Sequence, residues 1–264
     1  MKYCISNLAW SYNDEKIILN LIKKKIKFLE YSPTLLIKDL KSKENISKIK
    51  KIWNKRNISL YSMQSILYNT SNTYIFGNKY QRQNFYNEVK KKIILAKKLK
   101  TKVIVFGSPK NKKTFKKKKI ILDKLSLEMF KKISLLSKKN KITFCVEANP
   151  EIYGTKYLTH TIDAIKLAKK INNRYFKVNL DLGTIISNNE DLDFLLKNYL
   201  KYFGHAQISS PYLTNLLKYK KSIKFFINKL NKYRYKKIIS IETLKRKKNN
   251  LNYIKNIIKF LSNR

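Results

Sequence analysis

The sequence predicts an α/β fold, a single-domain (β/α)8 TIM barrel over residues 1–264. Three observations carry that expectation. Short apolar runs alternate with longer segments whose apolar residues recur at i, i+3 and i+4. Strict alternation of strand and helix means parallel strands joined by helical crossovers, and eight such units close a barrel. The length of 264 residues sits where single barrels of this kind lie, and no Pro/Gly/Ser-rich linker divides it.

Taken in order, "KYCISNL" (2–8) reads as the first strand and "DEKIILNLIKKK" (14–25) as the helix after it. The next strands are "IKFLEYS" (26–32), "ISLYSMQ" (58–64) and "KVIVFG" (102–107), the last preceded by the helix-period segment "QNFYNEVKKKIILAKKLK" (83–100). "DKLSLEMFKKISLLSKKN" (123–140) then leads into "KITFCVE" (141–147), and "TIDAIKLAKKIN" (161–172) into "YFKVNLD" (175–181). "FGHAQIS" (203–209) and "KIISIE" (237–242) complete eight strands, and "NLNYIKNIIKFLS" (250–262) is the closing helix. Cys4 and Cys145 both fall inside predicted strands, which predicts buried free thiols and a reducing compartment. The opening "MKYCISNLAW" lacks an apolar signal core and cleavage site, and no run of 18 apolar residues occurs. The expected setting is cytoplasmic, with no membrane partner.

A formal charge of +44 invites a nucleic-acid reading. The lysines, however, are spread along the whole chain beside abundant Asn and Ile, as a compositional drift would leave them. The densest run, "SPKNKKTFKKKKI" (108–120), reads as a solvated loop entering a helix. Weak, salt-sensitive affinity for polyanions follows from such a field, but no specific nucleic-acid partner does.

In a barrel of this type the C-terminal strand ends line the mouth where the site is built. Glu147, Asp181 and Glu242 each end a strand. Alternation along "FKVNLD" turns Phe176, Val178 and Leu180 toward the helices and leaves Asn179 and Asp181 facing the interior. By the same rule Gln207 faces inward, with Ala206 and Ile208 outward. Three carboxylates and an amide at one mouth repel unless a cation or shared protons relieve them. Oxygen donors suit Mn²⁺ or Mg²⁺, with Zn²⁺ as the alternative.

The chain resembles the sugar phosphate isomerase/epimerase family, the xylose isomerase-like barrels that include hydroxypyruvate isomerase, ketose 3-epimerases and endonuclease IV-type enzymes. The marks are "ISNLAW" (5–10), "LEYSPT" (29–34), "SMQSILY" (62–68), "VFGSPKNK" (105–112), "VEANPEIYGTKYLTHT" (146–161), "NLDLGT" (179–184), "GHAQISSPYL" (204–213) and "SIETLK" (240–245). The resemblance implies one divalent metal held by Glu147, Asp181, a third ligand on the seventh strand, and Glu242. Hydroxypyruvate isomerase-like members carry Gly-His-X-Gln-Ile at that third position, which makes Gln207 the expected ligand and inward-facing His205 a neighbour, with His205 itself the alternative. The implied chemistry is isomerisation or epimerisation of a sugar or sugar phosphate through an enediolate, with Glu147 and Glu242 moving the proton.

Candidate substrate contacts are Trp10, Gln64, Asn149 and Tyr153 near strand ends, together with His205. "GSPKNK" (107–112) with Lys110 offers an anion site through its backbone N–H groups. Two departures bear on substrate. Thr184 stands where ketose epimerases carry a histidine, and Pro211-Tyr212 where they carry an arginine. The rival readings are an endonuclease IV-like phosphodiesterase and a non-catalytic binding barrel. The first needs a histidine-rich three-zinc site, and the chain has only His160 and His205.

Overall fold

Eight parallel strands close into a barrel in simple chain order, β1 to β8, with β8 pairing back to β1. The computed structural model describes residues 1–22, 25–36 and 43–262. The strands are β1 (Tyr3–Ser6), β2 (Phe28–Tyr31), β3 (Ser59–Met63), β4 (Val103–Phe106), β5 (Thr143–Glu147), β6 (Phe176–Asp181), β7 (Phe203–Ile208) and β8 (Ile239–Ile241). Each lies within the segment expected from the sequence and is shorter, because the flanking residues turn into the loops. The helices are α1 (Glu15–Ile22), α2 (Pro33–Leu36), α3 (Lys43–Lys55), α4 (Lys79–Lys98) and α5 (Lys119–Asn140), followed by α6 (Thr161–Ile171), α7 (Leu182–Asn188), α8 (Leu192–Tyr199), α9 (Lys220–Lys232) and α10 (Asn250–Ser262). The helical reading of 14–25 holds through Ile22; residues 23–24 lie outside the described residues. Among the described residues no helix is long and apolar enough to cross a membrane.

The outward faces of the strands build the main core against the helices. Phe106 of β4, Phe144 of β5 and Phe176 of β6 form a ladder of stacked rings, with centroids 6.1 and 6.0 Å apart. Phe130 of α5 and Phe85 of α4 close over it at 5.4 Å. Such pairs add about 0.5–1.5 kcal/mol each beyond the area they bury. Phe176, Val178, Leu180, Ala206 and Ile208 all belong to this outer core, as alternation requires. The ladder holds β5 in place only three residues before Glu147.

The lumen is packed separately and more sparely. Val103, Val105 and Cys145 fill its lower part, with Tyr61 against them. Gly204 belongs here for lack of room: a Cβ on it would come within 2.6 Å of both Cys145 Sγ and Lys177 Cβ. Both cysteines are free and fully buried. Above this plug the inward side chains turn polar, and the site begins.

Candidate active site at the barrel mouth

Register decides which inward side chains meet. Glu147 pairs across to Asn179, Asn179 to His205, Asp181 to Gln207 and Gln207 to Ser240. These pairings set two tiers, a buried polar tier inside the lumen and a carboxylate tier at the mouth.

The buried tier centres on Glu30 of β2, which is fully buried. Its Oε1 accepts from Gln207 Nε2 at 2.8 Å and Ser240 Oγ at 2.7 Å. Its Oε2 accepts from Ser62 Oγ at 2.8 Å and meets His205 Nε2 at 3.1 Å. Burial alone would raise the Glu30 pKa, but His205 and the hydrogen bonds from Ser240 and Gln207 outweigh it and hold the group below the usual carboxylate range.

The mouth tier behaves oppositely. Glu147 accepts from Asn149 Nδ2 at 3.1 Å and from Asn179 Nδ2 at 2.7 Å. Burial, and next the charge of Asp181, push its pKa up to about 8. Asp181 caps α7 by accepting from the Thr184 N–H at 2.8 Å, and Ser209 Oγ donates to its other oxygen. Burial still raises it. Glu242 is raised well above its ordinary value by burial and then by Glu147, Asp181 and Glu30, and among the described residues no hydrogen-bond donor reaches its carboxylate. Glu147 and Glu242 line one cavity of about 220 Å³, walled by Gln64, the following loop to Tyr68, and Gly107–Pro109. Gly107 leaves room for the Glu147 carboxylate, which a Cβ there would push aside.

A charged strand end needs a partner, and the structure supplies one that the sequence reading passed over. Lys112 is fully buried and donates from Nζ to the Glu147 carbonyl oxygen at 3.0 Å. Burial pulls its pKa down to about 7, against the opposing charge of Glu147. Lys110, the lysine singled out from sequence, is exposed instead. The two belong to one 3₁₀ turn, Lys110–Lys112, which points them apart.

The other candidates fall into different places. Gln64 is buried in the cavity wall, donating to Ser6 Oγ at 2.5 Å. Asn149 is buried against Glu147. Trp10 is 5% exposed and packed in the outer core. Tyr153 is half-buried, and its hydroxyl accepts from the Tyr212 N–H at 2.8 Å with the two rings edge to face at 5.2 Å. The loops after β5 and β7 are thereby clasped together. His205 is fully buried beneath the mouth on Glu30. Thr184, in the position of the epimerase histidine, is buried and turned to Asp181. Glu30 was missed because it precedes the strand end; the signal was a lone acid at an inward position of "KFLEY".

The donor chemistry fits a hard divalent cation. Among the described residues Glu242 has no donor, Asn149 Oδ1 and Asn179 Oδ1 are buried without hydrogen-bond partners, Asp181 raises Glu147, and both raise Glu242. Among the described residues no three His, Cys, Asp or Glu side chains gather closely enough to hold a metal in this conformation. The candidate ligands ring the mouth without closing on a point. Away from the mouth, a groove of about 940 Å³ runs along α5 and α6 and the loops before them, lined by seven lysines, including Lys116, Lys117 and Lys119 of the basic run, and by Asp123 and Asp163.

Comparisons with known proteins agree with this architecture. A family profile described as "Xylose isomerase-like TIM barrel" matches residues 26–264. No curated protein matches the chain by sequence. Among solved structures, the 3-keto-D-glucoside 4-epimerase YcjR from E. coli superposes with a TM-score of 0.79 at 13% identity, covering 100% of both chains. An L-ribulose 3-epimerase gives 0.80 at 12% identity over 99% of this chain and 94% of the other. An IOLI protein with a bound zinc atom gives 0.73 at 14% identity over 100% and 97%. At such identities the likeness is one of fold.

Proposed function

The chain belongs to the xylose isomerase-like TIM-barrel family, and on that footing we propose that it is a metal-dependent isomerase or epimerase of a small sugar or sugar phosphate. The observation that carries this reading is the pair Glu147 and Glu242, two carboxylates of raised pKa facing one small cavity. General acid–base catalysis asks for groups whose proton affinity lies near the working pH. A cavity of about 220 Å³ is below the range typical of drug-sized ligands, which favours a substrate of a few carbons.

A divalent ion held by Glu147, Asp181, Gln207 and Glu242, with Mn²⁺ or Mg²⁺ favoured over Zn²⁺, would polarise the carbonyl of a 2-hydroxy carbonyl substrate and relieve the repulsion among the three acids. Glu147 takes the proton from the carbon beside that carbonyl. Asn149 and Asn179 hold its two oxygens while it does so. Return of the proton to the neighbouring carbon isomerises; return from Glu242 to the opposite face of the same carbon epimerises. Gln64 offers its amide to the substrate from the cavity wall. The phosphodiesterase alternative has less support, since His205 is committed to Glu30 and His160 is exposed.

The test is a screen in D₂O. Purified protein, metal-free or with added Mn²⁺, is incubated with ketoses and sugar phosphates, and deuterium uptake at the carbon beside the carbonyl is followed by NMR. Metal-dependent uptake into one or more small ketoses is the expected result. No uptake from any of them, together with no Mn²⁺ binding, would overturn the reading.

A further inference from the structure

Among the described residues Glu30 is the one carboxylate of the lumen that neither lines the cavity nor ends its strand, yet four side chains from three strands converge on it. A carboxylate only accepts hydrogen bonds. Gln207 must therefore give it the NH₂ end of its amide, and does so at 2.8 Å. That choice leaves Gln207 Oε1 facing the other way, where Asn179 Nδ2 donates to it. The same Asn179 nitrogen donates to Glu147 Oε2 at 2.7 Å. Asn179 is fixed in turn, because an acceptor on each side requires its nitrogen there, and its Oδ1 is left buried without a partner.

An amide has no orientation of its own. Reversed, Gln207 would turn an NH₂ group toward the mouth and offer no lone pair to a cation or to Asn179. The direction of the whole chain of contacts, from β2 through β7 and β6 to β5, is set at its buried end. We propose that Glu30 is a positioning residue whose carboxylate locks the Gln207 amide with its carbonyl oxygen toward the mouth and, through Asn179, aims Glu147. Its importance for catalysis rests on the function proposed above; the orientation itself does not.

Two variants separate positioning from mere packing. Glu30→Gln keeps shape but no longer dictates which end of Gln207 it receives. The exchange Glu30→Gln/Gln207→Glu returns an acceptor oxygen to the mouth whichever way the amide introduced on β2 turns. Mn²⁺ titration of the folded, metal-free proteins should show affinity reduced about 10–100-fold in the single variant, the usual effect of losing a residue that orients a metal ligand. The exchange should recover most of that loss, which a purely structural role would not produce. An unchanged affinity in Glu30→Gln, or an exchange no better than the single variant, would overturn the proposal. Should Glu30→Gln not fold, the exchange alone decides: affinity within about tenfold of wild type supports the proposal, and a larger loss refutes it.

A second readout needs no metal. In the wild type the Gln207 side-chain amide protons should exchange slowly with solvent in NMR spectra, and in Glu30→Gln rapidly. If the wild type binds no Mn²⁺, the metal-site reading fails while this signal still tests the orientation; equal exchange in both proteins would refute it.

Discussion

Glu30 and Glu147 are carboxylates of the same lumen, one tier apart, and their environments push them in opposite directions. Glu30 is the more deeply buried, yet its pKa is lowered; Glu147 stands at the mouth, and its pKa is raised to about 8. Depth does not explain the difference. Glu30 has two donors on each oxygen, from Ser62, His205, Gln207 and Ser240. Glu147 has one on each and faces two other acids. A charge that is fully hydrogen-bonded is part of the scaffold, whereas one left in competition with its neighbours is available for chemistry.

The comparison predicts its largest effect in catalysis. Glu147→Gln keeps an oxygen for a cation but cannot take a proton. On any substrate found in the D₂O screen it should slow C–H exchange by about 10²–10⁴-fold, the usual contribution of a positioned general base. It should also keep measurable Mn²⁺ binding. Near-normal exchange would move the base to Glu242 and leave Glu147 as a ligand only.

The same substitution at the two positions should then differ in the sign of its effect on stability. Glu30→Gln deprives converging donors of their charged acceptor, and losing a hydrogen bond to a charged group costs about 1.5–3 kcal/mol. Domains of this size are stable by about 5–15 kcal/mol, so the variant should fold with a lower melting temperature. Glu147→Gln removes a carboxylate that burial and Asp181 disfavour, and should raise the melting temperature of metal-free protein at pH 8 by a smaller amount. Urea unfolding of both variants checks this; two shifts of the same sign would break the contrast.

The contrast also marks how far the sequence could be read. Each strand announces itself by an apolar run, and period-two alternation places Asn179, Asp181 and Gln207 inside. That was enough for the barrel order and for which acids face the mouth. It was not enough for Glu30, because alternation works within one strand. The meeting of Glu30 with Ser62, His205, Gln207 and Ser240 depends on register between strands, including the shifts at Leu29/Glu30 and Val178/Asn179. Nor could it separate Lys112 from Lys110, whose difference lies in one turn of an irregular loop. Long-range register and loop conformation are tertiary properties, and a single strand's pattern does not encode them.

Lys112 provides the most discriminating effect, on the pH dependence of stability. Folding holds Glu147 near 8 and Lys112 near 7, against ordinary values of 4.5 and 10.5. From pH 4.5 to 7 the folded pair keeps a proton that the unfolded chain has lost from Glu147, so its contribution to stability falls as pH rises. From 8 to 10.5 the folded pair has given up the proton that an unfolded lysine keeps, and the contribution rises again. Lys112→Met abolishes that upper limb. Subtracting the wild-type profile cancels the surface groups far from the mouth, while Asp181 and Glu242 titrate together with Glu147. The difference in unfolding free energy, variant minus wild type, should therefore decline steadily above pH 8 in metal-free protein. A flat difference there would mean that Lys112 serves only as a hydrogen-bond donor to the Glu147 carbonyl, and that the mouth carboxylates balance their charge without it.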